Sequence, residues 1–200
     1  DLEAYCADKD VSGSVGIAHT RWATHGEPSS VNAHPHYSSS KNLAIIHNGI
    51  IENYSAIKKN LIAKGVEFKS DTDTEVLVQL IEYIQITKKL DLLTAVQVAL
   101  RQVIGAYAIA LLDKNEPNQI IAARKQSPLV VGIGKEGEFY LGSDATPIIE
   151  YTDKVVYLED GNIAIMRLGE ELQVTNIQNV KLNPEIQTVD MDLGQIEKGG

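Results

Sequence analysis

Three short segments carry side chains whose types and spacing could do chemistry. The first is Thr20-Arg21-Trp22-Ala23-Thr24-His25-Gly26, which holds the only tryptophan. The Arg21 guanidinium could grip a carboxylate with two parallel hydrogen bonds, and Thr24 and His25 could add more. The plainer reading is a surface loop with an Arg21–Glu27 ion pair. The second segment is His47-Asn48-Gly49-Ile50. Asn-Gly is first of all a turn signal. Asn48 could instead aim its amide NH2 at a developing oxyanion, with the bare Gly49 backbone N–H approaching closely. The third is Asp71-Thr72-Asp73-Thr74-Glu75. It reads as a helix start with its expected acids, or, at Asp73, as a carboxylate for a substrate ammonium group.

The five histidines, at 19, 25, 34, 36 and 47, all precede residue 50. His34-Pro35-His36 with His25 or His47 could hold zinc or another divalent ion. However, no HxxxH or HExxH helical frame exists, so no metal and no cofactor is expected. The lone Cys6 excludes an internal disulfide and is too little for a thiolate metal site.

These segments need elements to hold them. Residues 1–10 read as a helix end and a loop. Gly13 introduces Ser14-Val15-Gly16-Ile17-Ala18-His19, a run that predicts a buried strand. Prolines, Gly26 and a serine run make residues 24–42 loop-like. Leu43 to His47 predicts a strand stopped by Asn48-Gly49. Three helices follow. Asn53 caps the first and Gly65 stops it. Thr72 and Glu75 have capping-box spacing before Val76, Leu77, Leu80, Ile81 and Ile84. Asp91 caps the third, with Leu92, Val96, Leu100 and Val103 facing inward. Seven short strands are predicted next, at 106–112, 119–123, 129–133, 139–141, 155–158, 163–168 and 172–177, separated by turn residues. Strands, then helices, then many strands make an α+β pattern rather than βαβ alternation.

A chain of 200 residues with net charge −9 is long enough for a sizeable core, and its charge argues against nucleic-acid or anionic-membrane surfaces. The halves carry 9 basic and 12 acidic, then 9 basic and 15 acidic side chains, so neither is a charged tail. No run nears the roughly 20 apolar residues of a membrane span. No targeting or lipidation motif is seen, and a cytoplasmic protein is expected. The opening Asp1-Leu2-Glu3-Ala4-Tyr5 reads as part of something longer.

Taken together, residues 17–28, Asn32-Ala33-His34-Pro35-His36, His47 to Asn53 and Ser70 to Glu75 closely resemble the glutaminase domains of the glutamine–fructose-6-phosphate aminotransferase family. These are class II glutamine amidotransferases of the N-terminal-nucleophile hydrolase type. The likeness continues through Arg124 to Leu129 and Gly142-Ser143-Asp144. Trp22 and Glu52-Asn53 favour this family over amidophosphoribosyltransferases and asparagine synthetases.

The resemblance implies a four-layer αββα sandwich and a glutaminase that supplies nitrogen for glucosamine 6-phosphate synthesis. It implies that Arg21, Thr24 and His25 hold the α-carboxylate of glutamine, and that Asp73 and the Gly49 backbone hold its α-ammonium. Asn48 and Gly49 would form the oxyanion hole, and Trp22 would gate ammonia. The family's nucleophile is an N-terminal cysteine whose free α-amine acts as base. Asp1 is no nucleophile, and Cys6 lacks the apolar strand that follows the family's cysteine. The expectation is therefore a domain over residues 1–182, without its first strands and inactive by itself. Residues 183–200 would lead to a sugar-phosphate isomerase domain, in an enzyme that forms homodimers. The alternatives are an amidotransferase with another acceptor and a non-catalytic glutamine-binding module.

Overall fold

The structure is a computed structural model that describes residues 2–20 and 27–189. Helix α1 (Leu2–Cys6) comes first, then strands β1 (His36–Tyr37) and β2 (Leu43–Ile51). Helices α2 (Tyr54–Ala63), α3 (Asp73–Lys88) and α4 (Leu92–Leu100) follow. The rest is β3 (Gly105–Asp113), β4 (Gln119–Lys125), β5 (Val130–Ile133), β6 (Phe139–Gly142), β7 (Lys154–Tyr157) and β8 (Asn162–Arg167). Three short strands end it: β9 (Gln173–Asn176), β10 (Lys181–Leu182) and β11 (Gln187–Thr188).

The strands form a seven-stranded sheet, β1-β2-β3-β4-β8-β9-β10, and a four-stranded sheet, β11-β7-β5-β6. Side-chain alternation divides the core. Leu43, Ile45, Ile109, Leu111 and Ile121 point from the large sheet into the helices, where they meet Leu77, Ile81, Val96 and Leu100. On the opposite face Ala108, Ala122, Ala164 and Met166 meet Val131 and Val156 of the small sheet and Leu158, which follows β7. The outer face of the small sheet packs on Ile148, in the turns of residues 145–152. This is the expected α+β sandwich.

Local signals explain the helices. Thr72 caps α3 through its hydroxyl, which accepts the Glu75 N–H at 3.2 Å, and Asp91 caps α4 by accepting the Thr94 N–H at 3.0 Å. Gly65, at φ +86°, ends α2 in a Schellman motif: Val66 N–H reaches Leu61 C=O and Gly65 N–H reaches Ile62 C=O. Asn53 sits at the N-cap of α2 but makes no capping hydrogen bond there. Its amide instead bonds the Gln102 C=O and the Ile104 N–H, tying the end of β2 to the start of β3.

Two expectations fail near the site. Asn48-Gly49 does not stop β2; the strand runs on to Ile51, with Asn48 opposite Ala108 and Gly49 opposite Tyr107. A nine-residue partner outweighs the local turn preference, and Gly49 makes the pairing possible. It holds φ +126°, and a Cβ there would lie 2.2 Å from the Ala106 carbonyl oxygen. Gly105, at φ +122°, is the reciprocal case: its Cβ would lie 2.2 Å from the Ile50 oxygen. The second failure is residues 14–19, which form no strand. Half-buried Val15, Ile17 and His19 alternate with exposed Gly16, Ala18 and Thr20, as in an extended chain. Among the described residues no strand pairs with this stretch.

The short strands β1, β10 and β11 escape the sequence pattern because two residues have no periodicity to read. β11 lies within the expected tail, yet pairs with β7.

Candidate functional site

The site forms where β2 leaves the large sheet and α3 begins. A cavity of about 790 Å³ opens there, and Asn48, Gly49, Thr72, Asp73, His19 and Ser143 share its wall. Three of the residues singled out in the sequence, Asn48, Gly49 and Asp73, are thus brought together. Arg21, Trp22, Thr24 and His25 lie outside the described residues. Cys6 lies in α1 and is not on the cavity wall.

Asp73 is the first residue of α3, at the positive end of the helix dipole. It is 3% exposed, and its Oδ2 accepts the Ile51 N–H at 2.8 Å. The neighbouring His47 Nδ1 stands 4.0 Å from the same oxygen. Asp73 is therefore more than a capping-turn residue: it joins the N-terminus of α3 to the last residue of β2, with its carboxylate on the cavity wall.

The histidines are anchors. Thr74 Oγ1 lies 3.0 Å from both His47 Nδ1 and His34 Nε2, and Thr72 Oγ1 lies 3.0 Å from His36 Nε2. Each of these rings commits a nitrogen to a threonine hydroxyl of the first turn of α3. Among the described residues no group of three or more His, Cys, Asp or Glu side chains is placed to hold a metal ion. Asn32 adds a further strap, its amide oxygen accepting the Asp71 N–H at 3.1 Å.

The polar side of α3 continues the pattern. Gln79 Oε1 accepts the Ser39 N–H at 3.0 Å and the Ser39 hydroxyl at 2.8 Å. Glu82 accepts from the Ser40 N–H at 3.2 Å and from its hydroxyl. Glu75 reaches the other way, accepting the Lys69 N–H at 2.9 Å and the Ser70 N–H at 2.6 Å. A capping box would have sent that carboxylate to the Thr72 N–H, but Ser70 Oγ takes that place. Helix α3 is consequently buried on its polar side as well as its apolar one.

On the sheet side Asn48 is exposed to the cavity. Its Oδ1 lies 2.6 Å from His19 Nε2. Beneath it, Gly49 is hemmed by Ala106 and by Ser127, whose Oγ would lie 3.0 Å from an added Cβ. Ser127 is held by its own neighbours: Gln126 takes φ +64°, and its N–H and the Arg124 guanidinium both bond Asp160 Oδ1 at 2.8 Å. Tyr107, opposite Gly49, is 1% exposed; burial, and then the charge of Asp160, push its phenol up to about 12.

Sequence reasoning missed His19, His34, His47 and Thr74 as parts of one assembly. The alternation His34-x-His36 facing Thr72-x-Thr74 was the available signal, but it becomes visible only when the two segments meet in space.

Asn48 and Gly49 on a strand, a buried carboxylate at a helix start and two face-to-face sheets thus meet around one cavity of an α+β sandwich. The glutamine amidotransferase domain model matches residues 4–181, and the chain belongs to that family. A glutamine--fructose-6-phosphate aminotransferase [isomerizing] of Bacteroides thetaiotaomicron is 69% identical over 200 residues, covering 100% of this chain and 32% of the relative. The enzyme of the same name from Chlorobaculum tepidum is 52% identical over 191 residues, covering 95% of this chain and 31% of its own. The chain thus spans about a third of the length of the curated relatives it matches. Among solved structures, glutamine phosphoribosylpyrophosphate amidotransferase from B. subtilis, complexed with ADP and GMP, superposes with a TM-score of 0.64 at 25% identity. It covers 80% of this chain and 34% of that one. No helix among the described residues is long and apolar enough to cross a membrane.

Proposed function

We propose that this chain is the glutaminase domain of a glutamine–fructose-6-phosphate aminotransferase. It would hydrolyse glutamine to glutamate and ammonia, and the ammonia would serve glucosamine 6-phosphate synthesis. The observation that carries this reading is the shared cavity wall of Asn48, Gly49 and Asp73.

In this reading Asp73 pairs with the α-ammonium of glutamine, helped by the Gly49 backbone. Arg21, Thr24 and His25 hold its α-carboxylate, and Trp22 gates ammonia transfer. A terminal cysteine thiol passes its proton to the cysteine's own α-amine, and the thiolate so formed attacks the side-chain amide carbon. The carbonyl oxygen becomes an oxyanion, which the Asn48 amide NH2 and the Gly49 N–H stabilise. Ammonia leaves with a proton returned from the amine, and water cleaves the thioester to glutamate. Asn48 and Gly49 lie on β2, paired with Ala108 and Tyr107 of β3, so the backbone that carries them is set before the charge develops. That preorganisation is what makes such donors effective.

The domain would run past residue 182 to include β11, which pairs with β7, and the residues after it would lead to a sugar-phosphate isomerase domain of the same polypeptide. The active protein would be a cytoplasmic homodimer. The test is to incubate the natural full-length protein with glutamine and fructose 6-phosphate and measure glutamate and glucosamine 6-phosphate. Both are expected in equal amounts. Glutamate without the amino sugar would point to another acceptor, and no glutamate would refute the glutaminase reading.

A further inference from the structure

Asn48 projects into the cavity through a carboxamide that can turn end for end. Only its NH2 stabilises an oxyanion; its oxygen in the same place would repel one. A group that fixes the rotation therefore controls the reaction without touching the substrate. We infer that His19 is that positioning residue, holding the Asn48 carboxamide with its NH2 turned to the reacting carbonyl. The inference rests on the glutaminase reading above.

The geometry is direct. His19 Nε2 lies 2.6 Å from Asn48 Oδ1. A carboxamide oxygen only accepts, so Nε2 carries the proton. The neutral Nε2–H tautomer and the imidazolium both supply it. Turning the carboxamide over would set its NH2 against Nε2, a pairing open only to the Nδ1–H tautomer and closed to the Nε2–H tautomer and the imidazolium. The amide nitrogen is thereby left for the cavity.

His19 is itself held in place. Its ring centroid lies 4.3 Å from that of His34, at a tilt of 47°. His34 is bonded through Nε2 to Thr74 Oγ1 at 3.0 Å, and the His36 ring meets it edge-on at 5.1 Å. Thr74 is 1% exposed, in the first turn of α3. A chain of contacts therefore runs from the N-terminus of α3 through two rings to Asn48. It also explains how residue 19 keeps its place on a stretch that no strand pairs with among the described residues. The helix that supplies Asp73 for the ammonium group would in this way also align the oxyanion donor.

The test compares His19→Ala, His19→Gln, His19→Asn, Asn48→Ala and the His19→Ala/Asn48→Ala double variant in the natural full-length protein. The readout is steady-state release of glutamate from glutamine. His19→Ala is expected to lower kcat about tenfold to a hundredfold with KM within about twofold, since only transition-state stabilisation is lost. His19→Gln, whose amide N–H reaches about as far as Nε2, is expected to restore most of the rate. His19→Asn is too short and should match Ala. In the Asn48→Ala background, removing His19 should cost less than about twofold more, because the carboxamide through which it acts on the rate is gone. Losses that multiply in the double variant, a KM effect without a kcat effect, or a Gln variant no better than Ala would overturn the assignment. Wild-type protein that releases no glutamate overturns the glutaminase reading, and this inference with it. An active wild type with multiplying losses overturns this inference alone.

Discussion

Replacing Gly49 by Ala tests the proposed oxyanion site most severely. An ideal Cβ at this position would lie 2.2 Å from the Ala106 oxygen, 2.8 Å from its carbon and 3.0 Å from Ser127 Oγ. Non-bonded heavy atoms settle near about 3.5 Å, so β2 and β3 would have to part by roughly 1 Å. The two nearest atoms belong to backbone, and no side-chain rotation relieves them. The φ of +126° adds strain of order 1–3 kcal/mol for any residue with a Cβ. Together these give a stability loss of about 3–5 kcal/mol. A 1 Å shift of the donors would also cost about a hundredfold in kcat. Gly65→Ala is the control. Gly65 has φ +86° with nothing within 4 Å of an added Cβ, so it carries the backbone strain without the clash. Its loss should be about 1 kcal/mol, with glutaminase rates unchanged. Urea unfolding followed by circular dichroism, with glutamate release on the same samples, separates the two. If Gly49→Ala falls within about 0.5 kcal/mol of Gly65→Ala, the close approach of the strands does not limit this position, and the reasoning fails.

Three more outcomes are expected. Asp73→Asn keeps an acceptor for the Ile51 N–H but loses the charge proposed to pair with the substrate ammonium, so KM for glutamine should rise about tenfold to a hundredfold while kcat changes little; an unchanged KM removes Asp73 from substrate binding. Thr74→Val preserves shape but puts a methyl against His34 and His47, and urea unfolding should show a loss of about 1–3 kcal/mol. A variant as stable as wild type would show that the hydroxyl holds neither ring. Tyr107 is pushed up to about 12, so the fold keeps this proton at pH values where the unfolded chain has lost it. Its share of stability is complete below pH 10 and is lost as pH rises from there through about 12, by about 2–3 kcal/mol in all. In Tyr107→Phe this part of the alkaline decline should vanish, and superimposable stability–pH curves for the two proteins would refute it.

Much of the framework is legible in the sequence because its signals are local. Thr72, Asp91 and Gly65 announce helix ends by side-chain chemistry that acts within a few residues. Val76, Leu77, Leu80, Ile81 and Ile84 mark the apolar face of α3, and all are buried. Where the outcome depends on a distant partner, the sequence misleads. Asn48-Gly49 looks like a turn, and only β3 makes it strand. Ser14 to His19 looks like a strand, and it has no ladder neighbour among the described residues. Asn48, Gly49 and Asp73 are nameable as candidates because the family likeness points to them. The threonine–histidine anchors between them are not, since they join residues 27 to 40 positions apart.

The contacts of Thr72, Thr74, Gln79 and Glu82 with His36, His34, Ser39 and Ser40 turn helix α3 into a ruler for the loop beside it. The helix advances a fixed 1.5 Å per residue, and the loop is pinned to it at four points, His34 and His36 in reverse order and Ser39 and Ser40 further along. Surface loops ordinarily absorb insertions and deletions at small free-energy cost, because their length matters little to what they join. This one has its length dictated from outside. Adding or removing a residue between His36 and Ser39 would leave the pair pinned at the helix start and the pair pinned further along unable to be satisfied together, so the segment has the indel intolerance of a core strand despite having little regular structure.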